Sequence, residues 1–172
     1  MGIVTAKEVA KVMNLDKLGP IGTSIGWIVL HSTKLSTINK EYDKRKNLNG
    51  IDFINSILRS FEIDFKISEK DLKRIPKTGP FIVIANHPLG GIDGMILMKI
   101  LLEQRPDFKM IANFLLHRLD PLKPYIMPVN PFEDHKEAKS SLGGIKQALS
   151  HLNAGGALGI FPAGEVSTYK DQ

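Results

Sequence analysis

Cysteine is absent from the 172 residues. A thiol nucleophile, a disulfide framework and a Cys-based zinc site are therefore excluded. Long apolar runs are lacking as well. The uncharged stretch from Leu18 to Thr33 is shorter than the ~20 apolar residues a spanning helix needs, and Gly19, Pro20, Gly22 and Gly26 interrupt it. It reads as core or as a segment resting in a bilayer interface with Trp27 at headgroup depth, core being the simpler reading. Repeats and low-complexity segments are absent too, and aromatics make up only 7%. What remains, 42% hydrophobic and 24% charged, is the composition of an ordinary globular domain with a core of its own.

Positive charge is distributed unevenly. Through residue 77 there are 14 Lys+Arg against 9 Asp+Glu, whereas residues 78–172 hold 9 of each, so the net +5 lies entirely in the first part. Such a segment is a solvated basic surface or meets an anionic partner. No basic motif interleaved with aromatics supports nucleic acid. An anionic membrane surface fits better beside Trp27.

The periodicity predicts a helical, basic N-terminal segment over 1–60, with possible membrane contact, followed by a second domain over 61–172 in which strands alternate with helices. Thr5-Ala6-Lys7-Glu8 reads as a helix start rather than a signal peptide. Ile51, Ile54, Ile57 and Leu58 mark one helix face after Asn49-Gly50. Phe61, Ile63, Phe65 and Ile67 alternate with Glu62, Asp64 and Lys66, the pattern of a half-buried strand. Ser68 with Asp71 opens a short helix, and Pro76 to Pro80 is a turn. Phe81 to Ala85 is a continuous apolar run, expected for a central strand buried on both faces. A buried helix over Gly94–Glu103, strands over Phe108–Ala112 and Ile126–Val129, an amphipathic helix over Glu137–Leu152 and a strand over Ala157–Phe161 follow. Strands alternating with helices predict an α/β fold with a mainly parallel sheet and crossover helices. In such sheets ligands bind at the carboxyl ends of the strands.

Two loops lie at those ends. The first is Asn86-His87-Pro88-Leu89-Gly90-Gly91-Ile92-Asp93-Gly94. A histidine leaves a strand, two glycines let the backbone fold back, and an Asp stands at the expected N-cap of the next helix. A carboxylate on one ring nitrogen fixes the tautomer and leaves the other nitrogen as a general base. The plainer alternative is that Asp93 only caps its helix and His87 is a satisfied buried histidine. The strand-end position and the glycine loop weigh against it. The second loop is Phe161-Pro162-Ala163-Gly164-Glu165-Val166-Ser167, weak alone but informative beside the first. His31, His117, His135 and His151 show no metal-ligand spacing and read as surface or packing residues. No Gly-x-Ser-x-Gly elbow is present, which disfavours a serine hydrolase.

Together the two loops resemble the motifs of the glycerolipid acyltransferase superfamily, the 1-acylglycerol-3-phosphate acyltransferase-like proteins. The branch they are most similar to is the haemolysin-like group, which includes acyltransferases of bacterial aminolipids such as ornithine and glycine lipids. There the first motif reads His-Pro-x-Gly-Gly-x-Asp-Gly, as His87 to Gly94 does. The resemblance covers roughly residues 60–172. Five residues separate His87 from Asp93 where the wider superfamily has four. Ala163 stands where its second motif has Glu, with an acid instead at Glu165. The strand from Tyr125 to Phe132 lacks the superfamily's phosphate-holding Arg, which points away from a phosphatidate-type acceptor.

The resemblance implies transfer of a fatty acyl chain from an acyl carrier protein or coenzyme A thioester to the hydroxyl of a lyso-lipid, without a covalent acyl-enzyme, resident cofactor or metal. His87 and Asp93 would be catalytic. Asn86, Gly90, Gly91, Asn130, Phe161, Pro162, Gly164, Glu165 and Ser167 would bind substrate. It also implies a peripheral protein on the cytoplasmic face of the cell membrane, with no nucleic-acid partner. Family members usually continue beyond the second motif, so an incomplete catalytic domain is expected. The competing readings are a thioesterase or other hydrolase using the same His–Asp pair, and a membrane-binding module without catalysis.

Overall fold

A computed structural model describes residues 5–32, 35–129 and 138–162. The chain divides into two compact units, residues 1–48 and 49–172. The first holds α1 (Ala6–Val12), a 3-10 turn (Asp16–Leu18), α2 (Pro20–Ser32) and α3 (Leu35–Asp43). Pro20 takes the first position of α2, where its missing N–H costs nothing. Gly22 and Gly26 form the contact stripe of that helix. A Cβ on Gly26 would collide with the Ala6 carbonyl, and one on Gly22 with that of Leu15. The glycines thus let α1 and α2 touch backbone to backbone, which buries Ala10 and Val9. Ile21, Trp27 and Ile28 lie away from this contact and are exposed, Trp27 by 56%. The core reading for Trp27 and Ile28 is therefore overturned, because close glycine packing already occupies the inner face of α2. At 13 residues α2 is short, and among the described residues no helix is long and apolar enough to cross a membrane.

The second unit begins with α4 (Gly50–Ser60). The Asn49 side chain caps it, accepting from the Asp52 amide at 3.0 Å. Phe53, Ile54, Ile57 and Leu58 form its buried face. A single helical turn, α5 (Glu69–Leu72), is capped by Ser68, which accepts from the Asp71 amide. Between them the predicted strand over 61–67 does not form. Ile63 and Phe65 are half-buried and Glu62, Asp64 and Lys66 exposed, but among the described residues the segment has no strand partner. Alternation reports which side faces inward; ladder hydrogen bonds need a neighbouring edge, and none of the described strands supplies one.

The sheet contains β1 (Phe81–Ile84), β2 (Lys109–Asn113), β3 (Ile126–Val129) and β4 (Ala157–Ile160) in the order β1-β4-β2-β3. Every pairing is parallel, so each link must cross back over the sheet. Helix α6 (Gly91–Gln104) joins β1 to β2, and α7 (Ala138–Asn153) lies between β3 and β4 in the chain. The 3-10 turns Phe114–Arg118 and Lys123–Tyr125 lead from β2 to β3. Phe108, Met110, Met127, Ala148, Ala157 and Leu158 are buried in the core. Gly159 has no side chain because the Phe108 ring occupies that space.

The fold class agrees with expectation, but the place of β1 does not. It is an edge strand, with Phe81 and Val83 half-buried and Ile84 exposed by 70%. A continuous apolar run does not distinguish an edge from a centre, since that depends on where the last strand inserts. Here β4 inserts between β1 and β2 and takes the central place.

One polar group holds the amino ends of these strands. Arg105 is 5% exposed and forms a two-toothed pair with Asp107, at 2.8 and 2.7 Å. It also donates to the carbonyls of Pro76, Gly79 and Gly155, and its guanidinium lies 5.2 Å over the Phe81 ring. Asp107 in turn accepts from the Ala157 amide. The Arg105 hydrogen bond holds the Asp107 carboxyl below its ordinary range, against the opposing effect of burial. Arg105→Ala strands three carbonyls and should cost about 3 kcal/mol, with the Asp107 share reduced because that side chain is partly solvated. Because the folded carboxyl titrates below its unfolded value, the pair's contribution is complete at neutral pH and fades as pH falls below about 4. Urea unfolding of Arg105→Ala and the parent at neutral and acid pH checks both points. A gap between them that does not narrow toward acid would contradict the assignment.

Candidate active site

The pairing of β1 with β4 sets Ile84 beside Ile160. The chain therefore leaves both strands at the same edge of the sheet, and His87 and Phe161 arrive together. Their rings stack with centroids 4.1 Å apart and planes 22° apart. The aromatic residue of the second motif thus fixes the plane of the histidine of the first. Asn86 and Pro162 are both exposed at this edge.

The glycine loop turns at Gly90, whose φ of 64° and ψ of −132° lie where L side chains are strained. Gly90 is also the N-cap of α6, so the helix starts three residues before the predicted Gly94. Asp93 is consequently not the cap. It lies in the first turn, with its amide donating to the Gly90 carbonyl at 3.1 Å. The sequence rule fails here because glycines normally read as breakers outside a helix, whereas Gly91 accepts the first helical position. The Asp93 carboxylate reaches back over the loop. Its Oδ2 accepts from the Leu89 amide at 2.6 Å and lies 3.5 Å from His87 Nδ1.

That 3.5 Å is ion-pair distance but longer than a hydrogen bond, and Nδ1 is buried with no hydrogen-bond partner among the described residues. Asp93 is thus neither the helix cap nor a bystander to the ring. Its carboxylate ties down the loop and also stands nearest the otherwise unsatisfied ring nitrogen. Catalytic hydrogen bonds are often long in unliganded sites and tighten when substrate arrives. Both side chains are about one-fifth exposed, at 20% and 18%.

Beside the ring opens a cleft of about 480 Å³, with His87 in its wall and Met110, Ile111, Leu116, Val129 and Ile160 around it. It is mostly apolar, and its size is that of a small-molecule site. Gly91 and Gly94 line one side. A Cβ on Gly94 would come within 4.0 Å of Met110 Sδ and 3.9 Å of Phe161. Met110, Asn113 and Leu116 were not predicted as lining. Asn113 closes β2 at its carboxyl end, and the strand-end rule, applied to every strand rather than to the two motif strands, would have found it. Gly90 is buried beneath the turn. Asn130, Gly164, Glu165 and Ser167 lie outside the described residues. No three His, Asp or Glu side chains among the described residues converge as metal ligands would.

A family model described as "Acyltransferase" matches residues 15–168. The chain is 30% identical over 131 residues to the lyso-glycine lipid O-acyltransferase of Bacteroides thetaiotaomicron, covering 76% of this chain and 46% of that protein. With the lyso-glycine lipid O-acyltransferase of Phocaeicola vulgatus it shares 29% identity over 140 residues, 81% of this chain and 47% of the relative. The chain spans about half the length of these curated relatives. No solved structure gives a significant match.

The loop geometry makes a separable prediction. Gly90→Ala places a side chain in a strained conformation and should cost about 1–3 kcal/mol. Gly91→Ala meets nothing within 4 Å and should change stability by no more than about 0.5 kcal/mol. Denaturant midpoints of the two variants check this, and equal losses would contradict the turn.

Proposed function

The chain belongs to this acyltransferase family, and from that premise we propose that it moves a fatty acyl chain from a thioester to the hydroxyl of a lyso-aminolipid, using His87 as general base. The observation that carries the proposal is a strand-end histidine set between Asp93 and Phe161 at the wall of an apolar cleft. The names of the two relatives support a lyso-lipid acceptor of the glycine-lipid kind. The apolar lining suits an alkyl chain.

With Nδ1 turned toward Asp93, Nε2 is the nitrogen left for chemistry. It takes the proton of the acceptor hydroxyl as the oxygen attacks the thioester carbonyl. Asp93 balances the charge on the imidazolium and keeps its proton on Nδ1. When the tetrahedral intermediate collapses, the C–S bond breaks and the thiolate leaves, recovering the proton from the imidazolium. The ester and the free thiol are the products. Helix α6 starts at the cleft, and its amino end favours the negative charge that develops on the carbonyl oxygen. The proposed donor is an acyl carrier protein or coenzyme A thioester, and the protein's own residues supply the acid–base chemistry.

The substrates are amphiphiles, and the first unit offers a surface for them. Residues 1–48 carry 8 Lys+Arg against 4 Asp+Glu, and Leu18, Ile21, Trp27 and Ile28 are exposed. An apolar stripe with surplus cations suits the surface of an anionic bilayer, and we place the protein at the cytoplasmic face of the membrane.

An acyl-transfer assay offers acyl carrier protein and coenzyme A thioesters with lysophosphatidate, lyso-glycine lipid and lyso-ornithine lipid. Product should form with an aminolipid acceptor and fall about 100- to 10,000-fold in His87→Ala. Free fatty acid released at full rate without acceptor would point to a thioesterase instead. No turnover on any donor would count against catalysis by this chain. In a separate flotation assay, binding should favour anionic over neutral vesicles, weaken as salt rises and weaken in Trp27→Ala. Equal partitioning onto both vesicle types would remove the electrostatic part.

A further inference from the structure

The loop at the mouth of the His87 cleft carries no charge. From Ala85 to Ile92 there is no Asp, Glu, Lys or Arg, in a chain that is 24% charged. Exposed loops are ordinarily polar. Here Pro88 and Leu89 stand in solvent, Leu89 by 62%. Ile84, just before the loop, is exposed by 70% and pairs in register with Ile160 of the cleft wall. Pro162 is exposed next to Phe161, and Leu116, also exposed, lines the cleft itself. Single exposed apolar side chains are common, but five around one opening form a patch. The opposite edge of the sheet differs, since Lys77, Arg105 and Asp107 gather where the strands begin. The loop's backbone is equally distinctive. Pro88 has no N–H to satisfy, and the Leu89 amide is already taken up by Asp93 Oδ2 at 2.6 Å.

We propose that this rim dips into the acyl boundary of a bilayer, so that lipid passes between membrane and cleft without crossing water. Leaving water is costly for unpaired backbone donors. Pro88 and Leu89 avoid that cost, one by lacking the donor and the other by having spent it on Asp93. The Leu89 side chain is thus presented from a backbone that is anchored and needs no water. Its transfer, with those of Ile84, Leu116 and the two prolines, is favourable in proportion to the apolar area removed from water. A bilayer suits this rim better than a protein partner does. A protein seated on the opening would close it, whereas lipid is what the cleft takes in on the acyltransferase reading, on which the assignment rests. The contact is apolar and belongs to the second unit, so it is separate from the electrostatic attraction of the first.

Vesicle binding decides it without turnover, so a failure of acyl transfer and a failure of this contact remain distinguishable. The chain has no cysteine and one tryptophan. A single thiol label can therefore be placed by substitution while Trp27 reports on the first unit in the same sample. Leu89→Cys and, at the amino edge, Lys77→Cys each carry an environment-sensitive fluorophore. Both are mixed with phosphatidylcholine–phosphatidylglycerol vesicles, with and without nitroxide-labelled acyl chains. The label at position 89 should shift to shorter wavelength on binding and lose emission to the nitroxide chains. The label at position 77 should do neither. Leu89→Ser should weaken partitioning onto pure phosphatidylcholine vesicles about tenfold, as expected for withdrawing one leucine from the bilayer boundary. Both positions are exposed, so far-ultraviolet circular dichroism should be unchanged. Quenching of Trp27 without quenching at position 89, equal quenching at both labels, quenching at neither, or parental partitioning of Leu89→Ser would overturn the proposal.

Discussion

Arg105 gathers the starts of three parallel strands. Asp107 precedes β2, Gly79 precedes β1 and Gly155 precedes β4, and the guanidinium bonds to all three. In a parallel sheet the strands run in step, so fixing their amino ends fixes the level at which their carboxyl ends emerge. Those ends carry His87, Phe161 and Asn113. The buried charge is tolerated because the Asp107 carboxylate and three backbone carbonyls satisfy it. The site at one edge of the sheet thus depends on a polar cluster at the opposite edge.

At the working edge, precision comes from two different kinds of contact. Phe161 holds the plane of the imidazole by stacking, which constrains tilt but not rotation within the plane. Asp93 addresses rotation, yet it is divided between the Leu89 amide and His87 Nδ1. Loop and His87 ring are consequently linked through one carboxylate oxygen. The five residues between His87 and Asp93 are accommodated by the Gly90 turn and a helix that starts at Gly91.

The apolar cleft and the uncharged loop at its mouth lie together at one edge of the sheet. The exposed stripe on α2 sets apolar side chains on a unit of net positive charge. The family assignment, the cleft chemistry and this stripe are three separate observations consistent with lipid work.

Much of this was legible in the amino-acid order. Local rules placed the cap at Ser68, a helix after Asn49-Gly50 and the starts and stops of four strands to within a residue or two, because capping and turn chemistry depend on neighbours in the chain. The His87–Asp93 pair was legible because glycines at a strand end have few other uses. Tertiary structure decided what depends on distant partners. It made β1 an edge strand, left 61–67 unpaired and turned Trp27 outward, because sheet insertion and glycine packing involve segments far apart in sequence. It also set Phe161 of the second motif against the His87 ring. A stacking contact between residues 74 positions apart follows from strand order, and strand order is not written in either strand alone.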